Sequence, residues 1–96
     1  MTTARFDELI HQPTRLQLVG ALSAADWAEF AFLRDKLALS DSALSKQLAA
    51  LEAAGYVATE HVLDAGRRRV RARLTPAGRS ALEGHVAALR NLLQGP

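Results

Sequence analysis

Apolar residues recur every three or four positions along most of the chain, the spacing that places them on one face of an α-helix. Three N-terminal segments show this spacing, with apolar positions at Phe6, Leu9 and Ile10, at Leu16, Val19 and Leu22, and at Phe30, Leu33 and Leu37. Pro13 stands at the start of the second segment, where its missing N–H would have been unpaired in any case. The pattern predicts three helices, with a short extended piece over residues 24–30.

A fourth helix is predicted over "DSALSKQLAALEAAGY", after Ser40. The Ser40 hydroxyl can accept a free backbone N–H of the first helical turn, and Gly55 provides the matching C-terminal stop. The helix has a leucine face and an opposite face that is small and polar. The two faces consist of Leu44, Leu48 and Leu51 and of Ser42, Ser45, Lys46 and Ala49.

After Gly55 the pattern changes to the period of two that is typical of β-strands. The stretch "VATEHVLD" is followed by "AG" and then by a stretch in which apolar residues alternate with arginines, Val70, Ala72 and Leu74 with Arg69, Arg71 and Arg73. These stretches predict a β-hairpin whose arginines point outward.

A last helix is predicted to begin at Thr75 and Pro76, a capping residue followed by a first-turn proline. Its apolar positions step by four, three and four residues and are Leu82, Val86, Leu89 and Leu93. Four helices, a hairpin and a helix follow one another without internal repeats in 96 residues. The chain is therefore predicted to form a single domain over residues 1–96, of the α+β class and mostly α-helical.

Positive charge is concentrated in the hairpin. The formal net charge is only +2, yet "GRRRVRAR" over residues 66–73 has five arginines, and residues 65–80 contain no Asp or Glu. A folded domain that keeps such a block usually sets it against a polyanion, and nucleic acid is the first candidate. The alternative is that the arginines only protect an exposed strand from aggregation, for which one or two charges are enough. The fourth helix could be an ordinary core helix, but its small outer face also suits close approach to a groove.

Other function classes lack the residues that they need. The chain has no cysteine, and His11, His61 and His85 lie in separate segments, so solvated or packing roles are expected and neither a metal nor a cofactor is predicted. No nucleophile stands beside a base and no glycine-rich phosphate loop is present, which argues against an enzyme. No apolar run approaches the ~20 residues that span a bilayer, and Asp7 and Glu8 occupy the N-terminus, so a cytoplasmic location is expected.

The order of elements and two sequence stretches resemble the winged helix-turn-helix of bacterial transcriptional regulators. "LSDSALSKQLAALEAAGYV" resembles a recognition helix with the first wing strand, and "RVRARLTPAGRSALEGHVAAL" resembles the second wing strand with the dimerisation helix. The chain is most similar to small winged-helix regulators related to the MarR type. The resemblance implies a helix-turn-helix over about residues 30–54, a two-stranded wing over about 57–75, and N- and C-terminal dimerisation helices, the latter over about 76–93.

The resemblance and the residue pattern together imply a homodimeric, sequence-specific regulator of transcription that binds a pseudo-palindromic operator in double-stranded DNA. The expected contacts of the recognition helix are Ser40, Asp41, Ser42, Ser45, Lys46 and Ala49. Those of the wing are Arg67, Arg68, Arg69 and Arg71. The expected dimerisation residues are Phe6, Leu9, Ile10, Leu82, Val86, Leu89 and Leu93. The apolar stripe of the last helix could equally pack within its own domain.

One position departs from the family pattern. Larger MarR regulators often have an Asp two residues before the wing-tip arginine, and here Gly66 stands two residues before Arg68. Both insertion of the wing into the minor groove and contact with phosphates alone therefore stay open. Lys46 is the only long cationic side chain on the outer face of the recognition helix and is expected to read a guanine.

Two other binding functions compete with this interpretation. The recognition helix could face a protein partner while the basic wing maintains solubility, and binding would then lack the steep salt dependence of a DNA complex. RNA binding would favour exposed aromatic rings for stacking, but the aromatic residues expected in the core are Trp27, Phe30, Phe32 and Tyr56. The sequence names neither the operator, nor the sign of regulation, nor a small-molecule effector.

Overall fold

The computed structural model describes residues 3–95, in which five helices and three strands are found. In chain order they are α1 (Glu8–His11), α2 (Pro13–Ser23), β1 (Ala28–Glu29), α3 (Phe30–Leu37), α4 (Asp41–Ala53), β2 (Val57–Asp64), β3 (Arg67–Leu74) and α5 (Pro76–Gln94). This mostly helical α+β fold with a hairpin wing confirms the predicted fold class. Across residues 3–95, no helix combines the length and the apolarity needed to cross a bilayer.

The core lies where the leucine face of α4 meets α2, α3 and the base of the hairpin. Leu44, Leu48 and Leu51 are all buried, as their spacing predicted. They pack in one cluster with residues of the other elements, Leu18, Val19, Leu22, Ala28, Leu33, Val57, Ala72 and Leu74. Burial of one leucine side chain contributes roughly 1.5–3 kcal/mol to the free energy of folding. This cluster therefore fixes α4 by one face and leaves its other face in solvent.

Local hydrogen bonds define both ends of α4. Ser40 Oγ accepts a hydrogen bond from the Ala43 N–H at 3.1 Å, as predicted for an N-cap. Ala38, in the turn between α3 and α4, has a left-handed φ of 54°, which a side chain with a Cβ adopts only at some cost. After α4, the Tyr56 N–H donates to the Leu51 carbonyl at 3.0 Å. The chain thus leaves the helix directly into β2.

The wing hairpin is part of a three-stranded antiparallel sheet. β3 lies in the middle, with β2 on one side and β1 on the other. β1 comes from the extended piece that was expected over residues 24–30, and its Ala28 and Glu29 pair with Ala72 and Arg71. Because β1 leads directly into α3, this pairing connects the wing to the helical part of the domain.

A two-residue loop joins β2 to β3. Its residues, Ala65 and Gly66, both have positive φ, 51° and 78°, as a type I′ hairpin turn requires. Glycine adopts this conformation freely, whereas alanine is strained in it. The two strands pair over all eight residues of each.

A second glycine lets α5 begin close to the end of α4. A Cβ at Gly78 would overlap the Tyr56 carbonyl oxygen, far inside van der Waals contact. Thr75 completes this junction, since its N–H donates to the Tyr56 carbonyl at 3.0 Å and its hydroxyl accepts from the Gly78 N–H at 3.0 Å. The start of α5 is therefore held against the segment that follows α4.

Asp7 attaches the N-terminal segment to α5 and to the end of α4. Its Oδ1 accepts the N–H groups of Leu9 and Ile10 in the first turn of α1, at 3.0 and 3.1 Å. Its Oδ2 accepts the Tyr56 hydroxyl at 2.6 Å, and this hydrogen bond raises the pKa of Tyr56. Its backbone N–H donates to Nδ1 of His85 at 3.0 Å.

Two histidines that are distant in sequence form a pair between α1 and α5. Nε2 of His85 lies 3.2 Å from Nδ1 of His11, and the Phe6 ring packs against both imidazoles. Because Nδ1 of His85 accepts from Asp7, the proton of the neutral His85 ring is on Nε2, which donates to His11. Protonation of Nδ1 of His85 would remove the hydrogen bond that it accepts from the Asp7 N–H.

Only some of the aromatic residues that were expected in the core lie there. Phe30 and Tyr56 pack against the core, but Phe32 is 57% exposed, and the Lys36 ammonium lies 5.9 Å from the centre of its ring. Two positions along a helix correspond to a rotation of about 200°, so Phe32 points away from the side that Phe30 buries. The expectation that Phe32 lies in the core is wrong.

The buried His85 side chain should make the protein less stable in acid. Burial and the neighbouring His11 lower the pKa of His85 from its ordinary value of 6.5, and Asp7 and Glu8 oppose this shift. The folded protein then binds fewer protons than the unfolded chain, so the stabilisation is complete above pH 6.5 and is lost as the pH falls through that value toward the lowered pKa. Urea unfolding from about pH 8 to about pH 5 measures this loss.

Two variants separate His85 from the other titrating groups. His85→Asn keeps an acceptor near the position of Nδ1 without a titrating ring, and it should flatten the decline in the free energy of unfolding. His61→Asn, on an exposed position of β2, should leave the decline unchanged. Equal slopes in the parent and the His85→Asn protein would contradict the assignment to His85.

Candidate nucleic-acid interface

The outer face of α4 presents small side chains and one cation to solvent. Ser42, Ser45, Lys46 and Ala49 are all exposed, opposite the buried leucines. Lys46 makes no ion pair with any of residues 3–95. The helix backbone can therefore approach a partner closely along this face, and the Lys46 ammonium can donate to an acceptor outside the chain.

The first turn of α4 contains an ion pair that the sequence did not predict. Ser40 is the N-cap, and its Oγ also lies 3.3 Å from Ser42 Oγ. The Asp41 carboxylate accepts a hydrogen bond from Arg34 Nη1 at 3.0 Å, and Arg34 Nε contacts Asp35 at 3.1 Å. Asp41 thus connects α4 to α3 across the turn between them. A base contact by Asp41 would first require this ion pair to open.

Two arginines without acidic partners among the described residues lie next to the turn of the wing. Arg67 and Arg68 are the first two residues of β3, and both are exposed. Neither forms an ion pair with another residue of the described range, 3–95. Together with Glu29 and Phe30 they line an open groove of about 430 Å³ between the wing and the first turn of α3. The wing tip thus offers two guanidinium groups to an anionic partner.

Two further wing arginines have acidic partners, which corrects the expectation of a block with no opposing acid. Arg69 Nη1 contacts both carboxylate oxygens of Glu29, at 3.0 and 3.2 Å, and Arg69 Nε lies 3.6 Å from Asp64. Arg71 Nη2 contacts Glu60 at 3.1 Å. The acids come from β1 and β2, the strands on either side of β3. They are outside the arginine block in sequence but adjacent to it in the sheet.

Trp27 was expected in the core but packs against two arginines of β3. The centre of its ring lies 4.3 Å from Cζ of Arg71 and 5.3 Å from Cζ of Arg73. These distances are typical of cation–π contacts. The sequence did not predict this role, because no local pattern places Trp27 near the arginines. Only the pairing of β1 with β3 places Trp27 beside the arginines.

The expected dimerisation residues differ widely in exposure. Ile10 is fully buried within its own domain, so in the single chain this side chain offers no surface to a second copy. The half-buried members are Leu9, Leu82, Val86 and Leu89, of which Leu9 and Leu82 pack against the core. Phe6 is 37% exposed and Leu93 is 86% exposed, and the neighbouring Leu92 is also largely in solvent. The exposed members of the expected set, Phe6 and Leu93, lie before α1 and in the last turn of α5, respectively.

Comparisons with known proteins agree with this geometry. Residues 14–93 match the family described as winged helix DNA-binding domain. A transcriptional regulator homologue from Pyrococcus horikoshii OT3 is 25% identical and has a TM-score of 0.87, and the match covers 93% of this chain and 88% of that one. AbsC, a MarR family transcriptional regulator from Streptomyces coelicolor, is 29% identical with a TM-score of 0.65, over 77% of this chain and 53% of AbsC.

A third solved structure, the MepR–DNA complex of S. aureus, has the same fold, with a TM-score of 0.71 and 19% identity over 91% of this chain and 71% of that one. The family match extends over most of the chain, from α2 through nearly all of α5. The chain therefore belongs to the winged helix DNA-binding domain family and is a relative of the MarR-type transcriptional regulators, which are DNA-binding proteins rather than enzymes.

Proposed function

We propose that this protein is a sequence-specific transcriptional regulator that acts in the cytoplasm as a homodimer on a pseudo-palindromic operator. The helix-turn-helix occupies about residues 30–54 and places α4 in the major groove. The wing, about residues 57–75, reaches the flanking backbone or the minor groove. The C-terminal dimerisation helix occupies about residues 76–93, and no cofactor takes part.

The observation that carries this proposal is the distribution of unpaired cations. Lys46 on α4 and Arg67 and Arg68 at the wing tip lack acidic partners within residues 3–95. Farther from the tip, Arg69 and Arg71 form ion pairs and Arg73 lies over the Trp27 ring. An isolated domain gains no stability from leaving charges unpaired at exposed positions. A polyanion such as duplex DNA would compensate them.

The shape of α4 supports binding in a major groove. The groove of B-DNA is about 12 Å wide and admits an α-helix. Ser42, Ser45 and Ala49 are short enough to let the helix backbone come near the base edges, where Lys46 can donate to O6 and N7 of a guanine. MepR, whose fold this chain shares, was solved in a complex with DNA, and we extend that use of the fold to this protein.

Exposed apolar side chains near both termini support a homodimer. Phe6, Leu92 and Leu93 are in solvent in the single chain. Their burial against the same residues of a second copy, across a two-fold axis, would remove this apolar area from water. Two copies of α4 would then contact half-sites about one DNA turn, ~34 Å, apart.

Selection of bound sequences from a random duplex pool, followed by titration at several salt concentrations, tests the function as a whole. We expect selected sites with two inverted half-sites and an affinity that falls steeply as salt rises. Failure to enrich any duplex, or an affinity nearly independent of salt, would favour a winged-helix module that binds a protein. The exposed Phe32 ring on α3 would then be part of its contact surface.

Replacing both wing-tip arginines should weaken binding to every DNA sequence alike. In the Arg67→Ala, Arg68→Ala protein, the slope of log affinity against log salt should flatten by about 0.9 for each phosphate that is no longer neutralised, up to roughly four phosphates per dimer. The matched control is Arg90→Ala, which removes a guanidinium from an exposed position of α5, outside the wing and α4, and should leave the slope near that of the parent. Equal slopes for the parent and the tip variant would refute the role of the wing tip.

Lys46→Ala should relax the base preference at one or two positions of each half-site. Without the hydrogen bonds from lysine to guanine, binding to the preferred site should weaken by about 1–3 kcal/mol. Lys36→Ala is the control, because Lys36 is an exposed lysine of α3 and not of the proposed reading face. Repeating the site selection with each variant shows whether Lys46 contacts a base or a phosphate. A uniform decrease in affinity with an unchanged preference would mean that Lys46 binds a phosphate instead.

Leu93→Asp should convert the dimer to a monomer. An unpaired carboxylate is costly to bury in an apolar interface, whereas at an 86% exposed position it should not affect the folding of the single chain. Asn91→Asp adds the same charge at another exposed position of the last turns of α5 and should leave the dimer intact. Sedimentation equilibrium measures both outcomes, and a monomeric parent protein would rule out the proposed assembly.

A further inference from the structure

The residues around β1 hold the arginines of the wing strand. Trp27 and Glu29 flank Ala28, whose side chain is buried, so alternation along the strand directs both to the outer face of the sheet. The arginines at alternate positions of β3 share that face, because Ala72 between them is buried. Glu29 contacts Arg69, and the Trp27 ring contacts the next two arginines of this face.

The Trp27 ring supplements the ion pair of Arg71 and is the contact that the structure shows for the guanidinium of Arg73. Nε of Arg71 is buried and has no hydrogen-bond partner among the described residues. Removing this nitrogen from water is costly, and the Trp27 ring at 4.3 Å and the ion pair with Glu60 offset that cost. Arg73 has no acidic partner within residues 3–95, and its guanidinium lies over the same ring at 5.3 Å.

The contact matters because β1 is only two residues long. It has two residue pairs with β3, so the backbone ladder alone offers few hydrogen bonds. β1 continues directly into α3, and α3 packs with α4 in the core, where Leu33 and Leu44 belong to the same buried cluster. Any motion of β3 against β1 is therefore a motion of the wing relative to α4.

We propose that Trp27 is a positioning residue for DNA binding, whose stack with Arg71 and Arg73 holds the wing so that Arg67 and Arg68 reach the phosphates. The inference rests on the proposed DNA-binding function. Trp27 itself contacts no DNA, and Arg71, an expected DNA contact from its sequence position, acts instead within the protein. The stack requires a planar cation on an aromatic face, which lysine does not supply.

Trp27→Leu and Trp27→Phe are the matched pair for this inference, because leucine keeps apolar contact without an aromatic face and phenylalanine keeps the face. In Trp27→Leu, the backbone amides of residues 57–74 should exchange hydrogen faster relative to those of α4. Affinity for duplex DNA should fall roughly fivefold to thirtyfold with an unchanged base preference. The salt slope should flatten because the wing tip neutralises fewer phosphates. Trp27→Phe should stay within about threefold of the parent affinity.

A second variant tests the stack from the other side without altering Trp27. Arg71→Lys with Arg73→Lys keeps the net charge but removes both planar guanidinium groups. Trp27 is the protein's only tryptophan, so its fluorescence reports on this site alone. We expect stronger acrylamide quenching of Trp27 and the same faster exchange and flatter salt slope as in Trp27→Leu.

The outcomes separate this inference from the proposed function. If the parent binds duplex DNA and Trp27→Leu keeps its affinity, salt slope and wing exchange, the inference is overturned. It is also overturned if Trp27→Leu only lowers the free energy of unfolding while the salt slope stays that of the parent. If the parent binds no duplex DNA, the proposed function and the positioning role both fail. Exchange rates in the free protein then still decide whether the stack holds the wing.

Discussion

The pairing of β1 with β3 is the constraint that fixes where the wing meets the start of α3. The hairpin buries side chains only near its base, where Val57, Ala72 and Leu74 join the core, and its far end stands in solvent. In addition to this packing, the two-residue strand β1, placed between α2 and α3, pairs the middle strand of the sheet with the helical part of the domain. The direction of the wing and the start of α3 are thus set by the same short contact.

The parts of the structure that could be predicted from the sequence are those that depend on local pattern. Leu44, Leu48 and Leu51 recur at helical spacing, and Ser40 is a capping residue, so the sequence located α4 and its buried face correctly. The alternation of arginines with apolar residues identified β3 in the same way. Helical and strand periods are properties of ten or so consecutive residues, and tertiary contacts did not override them here.

The parts that could not be predicted depend on contacts between distant segments. Glu29 is 40 residues from Arg69, and His11 is 74 residues from His85. No local pattern indicates that a carboxylate of one strand will pair with an arginine of another, or that two imidazoles will form a hydrogen bond. The unpaired charge of the candidate site was therefore overestimated, because Arg69 and Arg71 have acidic partners from other strands.

The two-residue turn of Ala65 and Gly66 also determines how far the wing extends. A tight hairpin loop has no spare chain, so the reach of the tip from the core is set by strand length, about 26 Å for eight residues at a rise of about 3.3 Å each. Base pairs in duplex DNA are about 3.4 Å apart. Two additional residues in each strand would advance the tip by about 7 Å, which is close to two base pairs. In the proposed complex, the number of wing residues thus limits how far from α4 the tip can reach along the duplex.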